Sequence, residues 1–223
     1  MQSTNPTKSI VAIFAHPDDE AFGPAGTIFK YSKVNDIYLL CATRGEAGSN
    51  QKRIAHVREK ELKESAKILG VKQVFFLGFI DGTLSNSIYH KLAEKIEKHL
   101  RILKPETIIT YEPRGISGHI DHITVSLVTT YVFYKLPFVK TLLYYCIGEK
   151  ERKFAEDYFI YFPPGYKKEE IDKIVDIEDV WETKVKAMLS HKSQAKDAKR
   201  ILEKRKNMPK KEYFQVLKKT SLS

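Results

Sequence analysis

Apolar residues along this chain fall into two kinds of run. Short, nearly uninterrupted β-rich runs cover residues 9–15, 36–42, 73–77 and 107–111, and two more lie at 141–147 and 158–161. Between them apolar positions recur every three or four residues, which predicts helices over 21–33, 51–69, 87–103 and 121–134. Gly70 closes the second helix and Pro105 stops the third. From 178 to about 206 the spacing reads as one long helix, and 210–219 reads as another after Pro209. Strands that alternate with helices imply βαβ units and a mostly parallel sheet covered on both faces. The strands read as continuous apolar runs, as buried parallel strands do. The expected class is α/β: a Rossmann-like three-layer α/β/α domain, its core over about 1–180, with a basic helical C-terminal extension over about 176–223.

Composition narrows the class. The 223 residues are 42% hydrophobic and 30% charged, which suits one globular domain with a real core. No apolar run approaches the ~18 residues of a membrane span, and residues 1–10 are polar with no leader-like stretch. A soluble, cytoplasmic protein without a membrane anchor is the expectation. Cys41 and Cys146 each sit inside an apolar β-like run and read as buried small hydrophobes, neither a disulfide nor a thiolate site. The net charge of +10 is uneven: residues 181–223 hold 13 Lys/Arg against 4 Asp/Glu, while the first 180 residues are nearly balanced at 25 against 24. With no aromatic residues interleaved as a stacking platform, this segment reads as a solvated helix face and not as a nucleic-acid surface.

In an open parallel sheet, ligands bind beyond the carboxyl ends of the strands. The scarce polar residue types gather there. His16, Pro17, Asp18, Asp19 and Glu20 follow the first strand; Thr43, Arg44, Gly45 and Glu46 the second; Gly78 and Asp81 the third; Arg114, Ser117, His119, Asp121 and His122 the fourth. Three adjacent carboxylates repel one another, a cost that a divalent cation reverses. The same residues would also cap a helix N-terminus. The second cluster tips the balance towards a metal: two His residues three apart, at the same rim, add imidazole ligands. Three His/Asp ligands with an open position form the catalytic zinc pattern, and such donors also accept Fe²⁺, Co²⁺ or Mn²⁺.

These residues carry a resemblance. Ala15-His16-Pro17-Asp18-Asp19-Glu20 resembles the AHPDDE motif of the LmbE/PIG-L family of N-acetylglucosamine deacetylases, and His119-Ile120-Asp121-His122 is similar to its HPDH motif. In order along the chain, Thr43-Arg44-Gly45-Glu46-Ala47-Gly48 resembles its TxGExG segment, Arg58-Glu59-Lys60-Glu61-Leu62 its R-x-x-E-L helix, and His191-Lys192-Ser193-Gln194 its H-x-S/T-Q phrase. Ile120 stands where the family usually has Pro, and Ser117 where some members carry Tyr.

The resemblance implies His16, Asp19 and His122 as metal ligands, Asp18 as general base, and His119 facing the reacting carbonyl. It implies Asp121 as a carboxylate tuning a neighbouring His, and Arg58 and Asp81 near sugar hydroxyls. Read on their own, Arg58 is equally a surface helix residue and Asp81 the start of an Asp-Gly turn. The implied reaction removes the N-acetyl group from an N-acetylglucosamine-containing small molecule. Zinc would acidify the attacking water, Asp18 would take its proton, and His119, kept protonated by Asp121, would stabilise the oxyanion. A metal amidase acting on a thiol conjugate or another N-acyl compound is the alternative. The family also implies a homo-oligomer.

Overall fold

The computed structural model describes residues 8–152 and 161–219. Its strands are β1 (Lys8–Phe14), β2 (Asn35–Cys41), β3 (Gln73–Phe76), β4 (Thr107–Tyr111), β5 (Thr141–Cys146), β6 (Lys173–Asp176) and β7 (Lys211–Lys218). Its α-helical segments are α1 (Asp19–Phe22), α2 (Ala25–Ser32), α3 (Ile54–Ile68), α4 (Tyr89–Leu103), the single turn α5 (Gly115–Gly118), α6 (Ile120–Lys135), α7 (Glu149–Arg152), α8 (Trp181–Ser190) and α9 (Ala195–Arg205). One sheet runs in the order β3-β2-β1-β4-β5-β7-β6. β1 to β5 are parallel, and β7 pairs antiparallel with both β5 and β6. Helices cover both faces, giving the expected three layers. The central strands are buried beyond their first one or two residues, as Val11, Ala12, Ile13, Ile108 and Ile109 show. Each face of the sheet supports its own apolar cluster, one centred on Ile13, Leu92 and Phe133 and the other on Phe14, Leu62 and Phe214.

Strand order reverses at β1, whose neighbours are β2 and β4. The crevice at this switch point is where the loops after β1 and β4 must diverge, and both polar clusters lie there.

The C-terminal third departs from expectation in three places. Residues 210–219 form β7 and not a helix. The alternation of buried Glu212 and Phe214 with the half-buried Tyr213 and Gln215 is a two-residue period, and pairing with β5 places Phe214 in the core. The long helix over 178–206 is broken at His191, whose φ of −80° and ψ of 69° are non-helical. The break turns the imidazole into the interior. β6 was not anticipated, and the strand expected over 158–161 falls, but for Tyr161, outside the described residues. The segment after residue 180 is thus woven into the sheet through β7. It is fastened there by a fully buried ion pair: Lys184 Nζ lies 2.7 Å from Glu212 Oε1, and Glu212 also accepts the amides of Gly26 and Thr27 at 3.0 and 2.7 Å, at the start of α2. Cys41 and Cys146 are buried free thiols. Among the described residues no helix is long and apolar enough to cross a membrane.

Candidate active site

The loop after β1 turns sharply at Pro17 and Asp18. Asp18 has φ 110°, a left-handed conformation that costs a non-glycine residue about 1–3 kcal/mol. The turn sends Asp19 back towards its own strand end, where its Oδ2 accepts the amides of Ala15 and His16 at 3.1 and 2.8 Å. Glu20 does not cap the helix from outside: it is fully buried. Its Oε2 accepts the Asp18 amide at 3.1 Å, while its Oε1 takes the Ser65 hydroxyl at 2.5 Å and meets His191 Nε2 at 2.8 Å. The broken C-terminal helix therefore supplies a brace for the β1 loop. Two residues on, Ser193 binds Glu61 of α3 through its amide and hydroxyl at 2.8 and 2.6 Å.

On the far side of the switch point, His119 begins α6 and its Nδ1 accepts the Asp121 amide at 3.2 Å. One turn along, His122 reaches the β1 loop. Its Nε2 lies 3.1 Å from His16 Nδ1 and 3.2 Å from Asp19 Oδ1. His16 Nδ1 is 3.7 Å from Asp19 Oδ2. Nitrogen and oxygen ligands about 2.0–2.2 Å from a tetrahedral ion stand about 3.3–3.6 Å apart, close to these separations.

The remaining ring nitrogens decide which atoms are available. His16 Nε2 faces two carboxylates, Asp81 at 2.9 Å and Asp121 at 3.2 Å, so it carries a proton. His122 Nδ1 faces the Gly115 carbonyl at 3.1 Å and carries one too. That leaves His16 Nδ1 and His122 Nε2 lone pair to lone pair, which is tenable only with a cation between them. In the metal-free chain that cation is a second proton. Burial opposes it, but the hydrogen bonds with Asp121 and Asp81 and the charge of Asp19 raise His16 to about 10. For Asp19, burial is outweighed by the neighbouring imidazoles of His122 and His16 together with the His16 amide, which hold its carboxyl well below the usual carboxylate range. The donor set fits a divalent metal ion, with outer carboxylates fixing the His16 tautomer as metal sites require.

Asp18 sits beside this trio. Burial pushes its carboxyl up to about 6, against the pull of Arg58. Arg58 is buried in α3: its Nη2 donates to Asp18 Oδ2 at 3.0 Å and to the Pro17 carbonyl at 2.6 Å, and its Nη1 to the Gly45 carbonyl at 3.0 Å. The Thr43–Gly48 segment wraps this guanidinium so closely that a Cβ at Gly45 or Gly48 would collide with it, and Gly45 also needs its φ of +70°. Asp81 is not an exposed Asp-Gly turn. Besides His16 it accepts the Ala47 amide at 3.1 Å and lies 3.8 Å from Arg58.

Asp121, expected to keep His119 protonated, directs its carboxylate to His16 Nε2 and to the amides of Gly82 and Leu84 at 2.8 and 3.2 Å. Burial, with His122 and His16 alongside, lowers His119 to about 4. With Nδ1 accepting a backbone amide, the neutral His119 ring holds its proton on Nε2.

Sequence reasoning missed Glu112. This buried carboxylate accepts the amides of Arg114 and Ile116 at 2.8 and 2.9 Å and the Tyr166 hydroxyl at 2.8 Å, shaping the loop that delivers His119. Its signal was its place at the strand-four end of the same rim. His16, Asp18, Asp19, Arg58, Asp81, His119 and His122 all line one cleft of about 430 Å³.

A His/Asp trio at the switch point of a parallel sheet, with an ionisable carboxylate alongside, is a candidate metal centre of the hydrolase type. The chain belongs to the family described as PIG-L, GlcNAc-PI de-N-acetylase, whose model matches residues 11–133. It is 29% identical over 196 residues to the probable N-acetyl-alpha-D-glucosaminyl L-malate deacetylase 2 of Bacillus anthracis, covering 84% of this chain and 81% of that protein. It is 30% identical over 203 residues to the diacetylchitobiose deacetylase of Thermococcus kodakarensis, covering 85% and 71%. Its fold matches the structure of the N,N'-diacetylchitobiose deacetylase from Pyrococcus horikoshii at a TM-score of 0.73, with 23% identity and 96% and 85% of the two chains covered.

Proposed function

We propose that the chain is a metal-dependent hydrolase that removes the N-acetyl group from an N-acetylglucosamine-containing small molecule. The observation that carries this reading is the convergence of His16 Nδ1, Asp19 and His122 Nε2 beside Asp18. The deacetylase activities named for its relatives agree with it. His16, Asp19 and His122 would hold the ion, zinc on this donor set, with Fe²⁺, Co²⁺ and Mn²⁺ also compatible. When bound, the ion supplies Lewis-acid polarisation and acidifies a water.

The chain's own residues do the rest. Asp18, at about 6, is mostly ionised at neutral pH and accepts a proton as water attacks the acetyl carbonyl carbon. His119 donates from Nε2 to the carbonyl oxygen as negative charge develops there. It acts as a neutral donor, so the hydrogen bond and not a full positive charge stabilises the oxyanion. The Asp18 carboxylic acid, with a pKa near neutral, returns the proton to the sugar nitrogen as the C–N bond breaks. Acetate and a free amine are the products. Arg58 holds Asp18 in its strained turn, and Asp81 and Asp121 hold His16.

The test is amine release from N-acetylglucosamine glycosides by protein as purified, after chelation, and after metals are restored one at a time. Release that is abolished by chelation and returned by zinc supports the proposal. Turnover untouched by complete metal removal overturns it.

A further inference from the structure

The cleft changes character at the proposed metal ligands. On the side of β2 and β3 its wall is polar: Arg58 and Asp81 stand there with Ala47 and Gly48, and Gln194 packs against Gly48. On the side of β4, β5 and β7 it is apolar. Tyr111 ends β4 and Tyr145 lies near the end of β5, Ile116 and Ile147 follow those strands, Met208 precedes β7, and Phe162 joins them. The strand order puts the β1 loop, with His16 and Asp19, between the two halves.

The apolar half begins against a proposed ligand. The Tyr111 ring lies 4.8 Å from that of His122, and its hydroxyl is turned away to donate to the Asp19 carbonyl at 2.8 Å. Phe162 is fixed by Arg152, whose guanidinium lies 4.4 Å over the ring and donates to the Phe162 carbonyl at 2.9 Å. The charged residues that also border the cleft, Glu151 and those of α9, come from helices and not from the strand ends that floor this half.

The carbonyl carbon of a scissile amide carries two groups of opposite preference. On its nitrogen side the sugar brings hydroxyls, which need hydrogen-bond partners and suit the polar half. The acyl group lies across the carbonyl from the sugar and so enters the apolar half. An acetyl methyl would cover little of that wall. Each further methylene buried there strengthens binding about fourfold.

Building on the deacetylase reading, we infer that the chain also hydrolyses amides of glucosamine whose acyl group is an unbranched aliphatic chain longer than acetyl, received by the wall over β4, β5 and β7. The bond broken is the same amide bond. The water oxygen joins the acyl carbon, and the nitrogen leaves with the C–N electron pair and takes a proton. An aliphatic carboxylate and a free amine are the products.

The experiment measures amine release, as kcat/KM, from methyl glucosaminides acylated on nitrogen with acetyl, butyryl or hexanoyl groups. A fourth compound, the hexyl glycoside of N-acetylglucosamine, carries its chain on the other side of the amide. From acetyl to hexanoyl, kcat/KM should rise at least about tenfold, a fraction of what four buried methylenes allow. The hexyl glycoside should stay near the acetyl methyl glycoside. Ile147→Trp should cut the hexanoyl-to-acetyl ratio about tenfold, and so should Met208→Trp, which lies in a turn and keeps the test open if the first variant does not fold. Val34→Trp, at a position 72% exposed before β2, should leave the ratio unchanged. A flat or falling series, a gain confined to the hexyl glycoside, or an equal effect of all three variants overturns the inference. Release from the acetyl compounds alone also overturns it and keeps the deacetylase reading. Release from the longer amides alone keeps the inference and overturns deacetylation.

Discussion

Arg58 is the residue whose replacement speaks most directly to how Asp18, the proposed base, is set. Its guanidinium lies 3.0 Å from Asp18 Oδ2, and its charge is the main influence restraining a carboxyl that burial lifts, even against that pull, to about 6. An opposite charge at such a distance is worth about 1–3 pKa units. Arg58→Met should therefore move Asp18 to about 7–9. At pH 7 the ionised fraction would fall from about nine-tenths to about one-tenth for a shift of two units. The sign is fixed: losing a cation makes the carboxylate harder to form, so the acid limb of the kcat/KM profile moves to higher pH and activity recovers as pH rises. Arg58→Lys keeps the charge but cannot donate at once to Asp18, Pro17 and Gly45, so its acid limb should stay near the wild-type position while its plateau drops. The assay is kcat/KM from pH 5 to 10 on protein of verified metal content. A Met variant that loses activity equally at every pH, with no displaced limb, would refute the electrostatic role and leave Arg58 as a positional or sugar-binding residue.

Three further outcomes are expected. His16→Ala, Asp19→Ala and His122→Ala should each lower metal affinity by at least about tenfold, while Asp18→Asn keeps the ion and loses most turnover; full metal in the His122 variant by elemental analysis would remove it from the ligand set. Because the His16 imidazolium is raised to about 10 in the metal-free chain, ion binding at pH 8 should release about one proton, read by calorimetry in buffers of different ionisation enthalpy; no release would contradict His16 as the exchanged site. Lys184→Met should cost about 3–5 kcal/mol by urea unfolding, since it strands buried Glu212. Lys184→Met combined with Glu212→Gln should cost less than Lys184→Met alone, and an equal or larger loss would show that charge pairing is not what the site loses.

Much of the centre was legible because its residues are local in sequence. His16 to Glu20 and His119 to His122 sit directly after strands whose apolar runs are unambiguous, and the strand-end rule brings the two clusters together without any knowledge of distance. What could not be read depends on pairing between distant elements. Lys184 looked like one more surface cation until β7 brought Glu212 to it. Glu20 looked like a helix cap, because its partners Ser65 and His191 are 45 and 171 residues away. The β7 strand was misread because five of the ten residues at 210–219 are charged and the stretch follows a Pro, which masked a two-residue alternation short enough to be overlooked. The electrostatic state of His119 depended on which of two imidazoles Asp121 faces, a choice made by the loop carrying Gly82 and Leu84.

The two halves of the centre are built by the same device. On the β1 side the strained residue is Asp18, at φ 110°, and on the β4 side it is Ile116, a β-branched residue at φ 63°. Neither conformation is favoured by its own side chain, and each costs about 1–3 kcal/mol. In both loops the strained residue's own amide is taken by a buried carboxylate four residues or fewer away: Asp18 by Glu20 at 3.1 Å and Ile116 by Glu112 at 2.9 Å. A hydrogen bond to a charged acceptor contributes about 1.5–3 kcal/mol, enough to offset the strain. Each carboxylate is itself held from another element, Glu20 by His191 and Ser65, Glu112 by Tyr166. The consequence is geometric: strain pinned from behind leaves the reactive side chains without an alternative loop conformation to relax into. The proposed ligands His16, Asp19 and His122 are therefore held at their separations of 3.1 to 3.7 Å by the protein alone. The C-terminal segment, which contributes His191, is thereby as much a part of the centre as the strand ends that carry its chemistry.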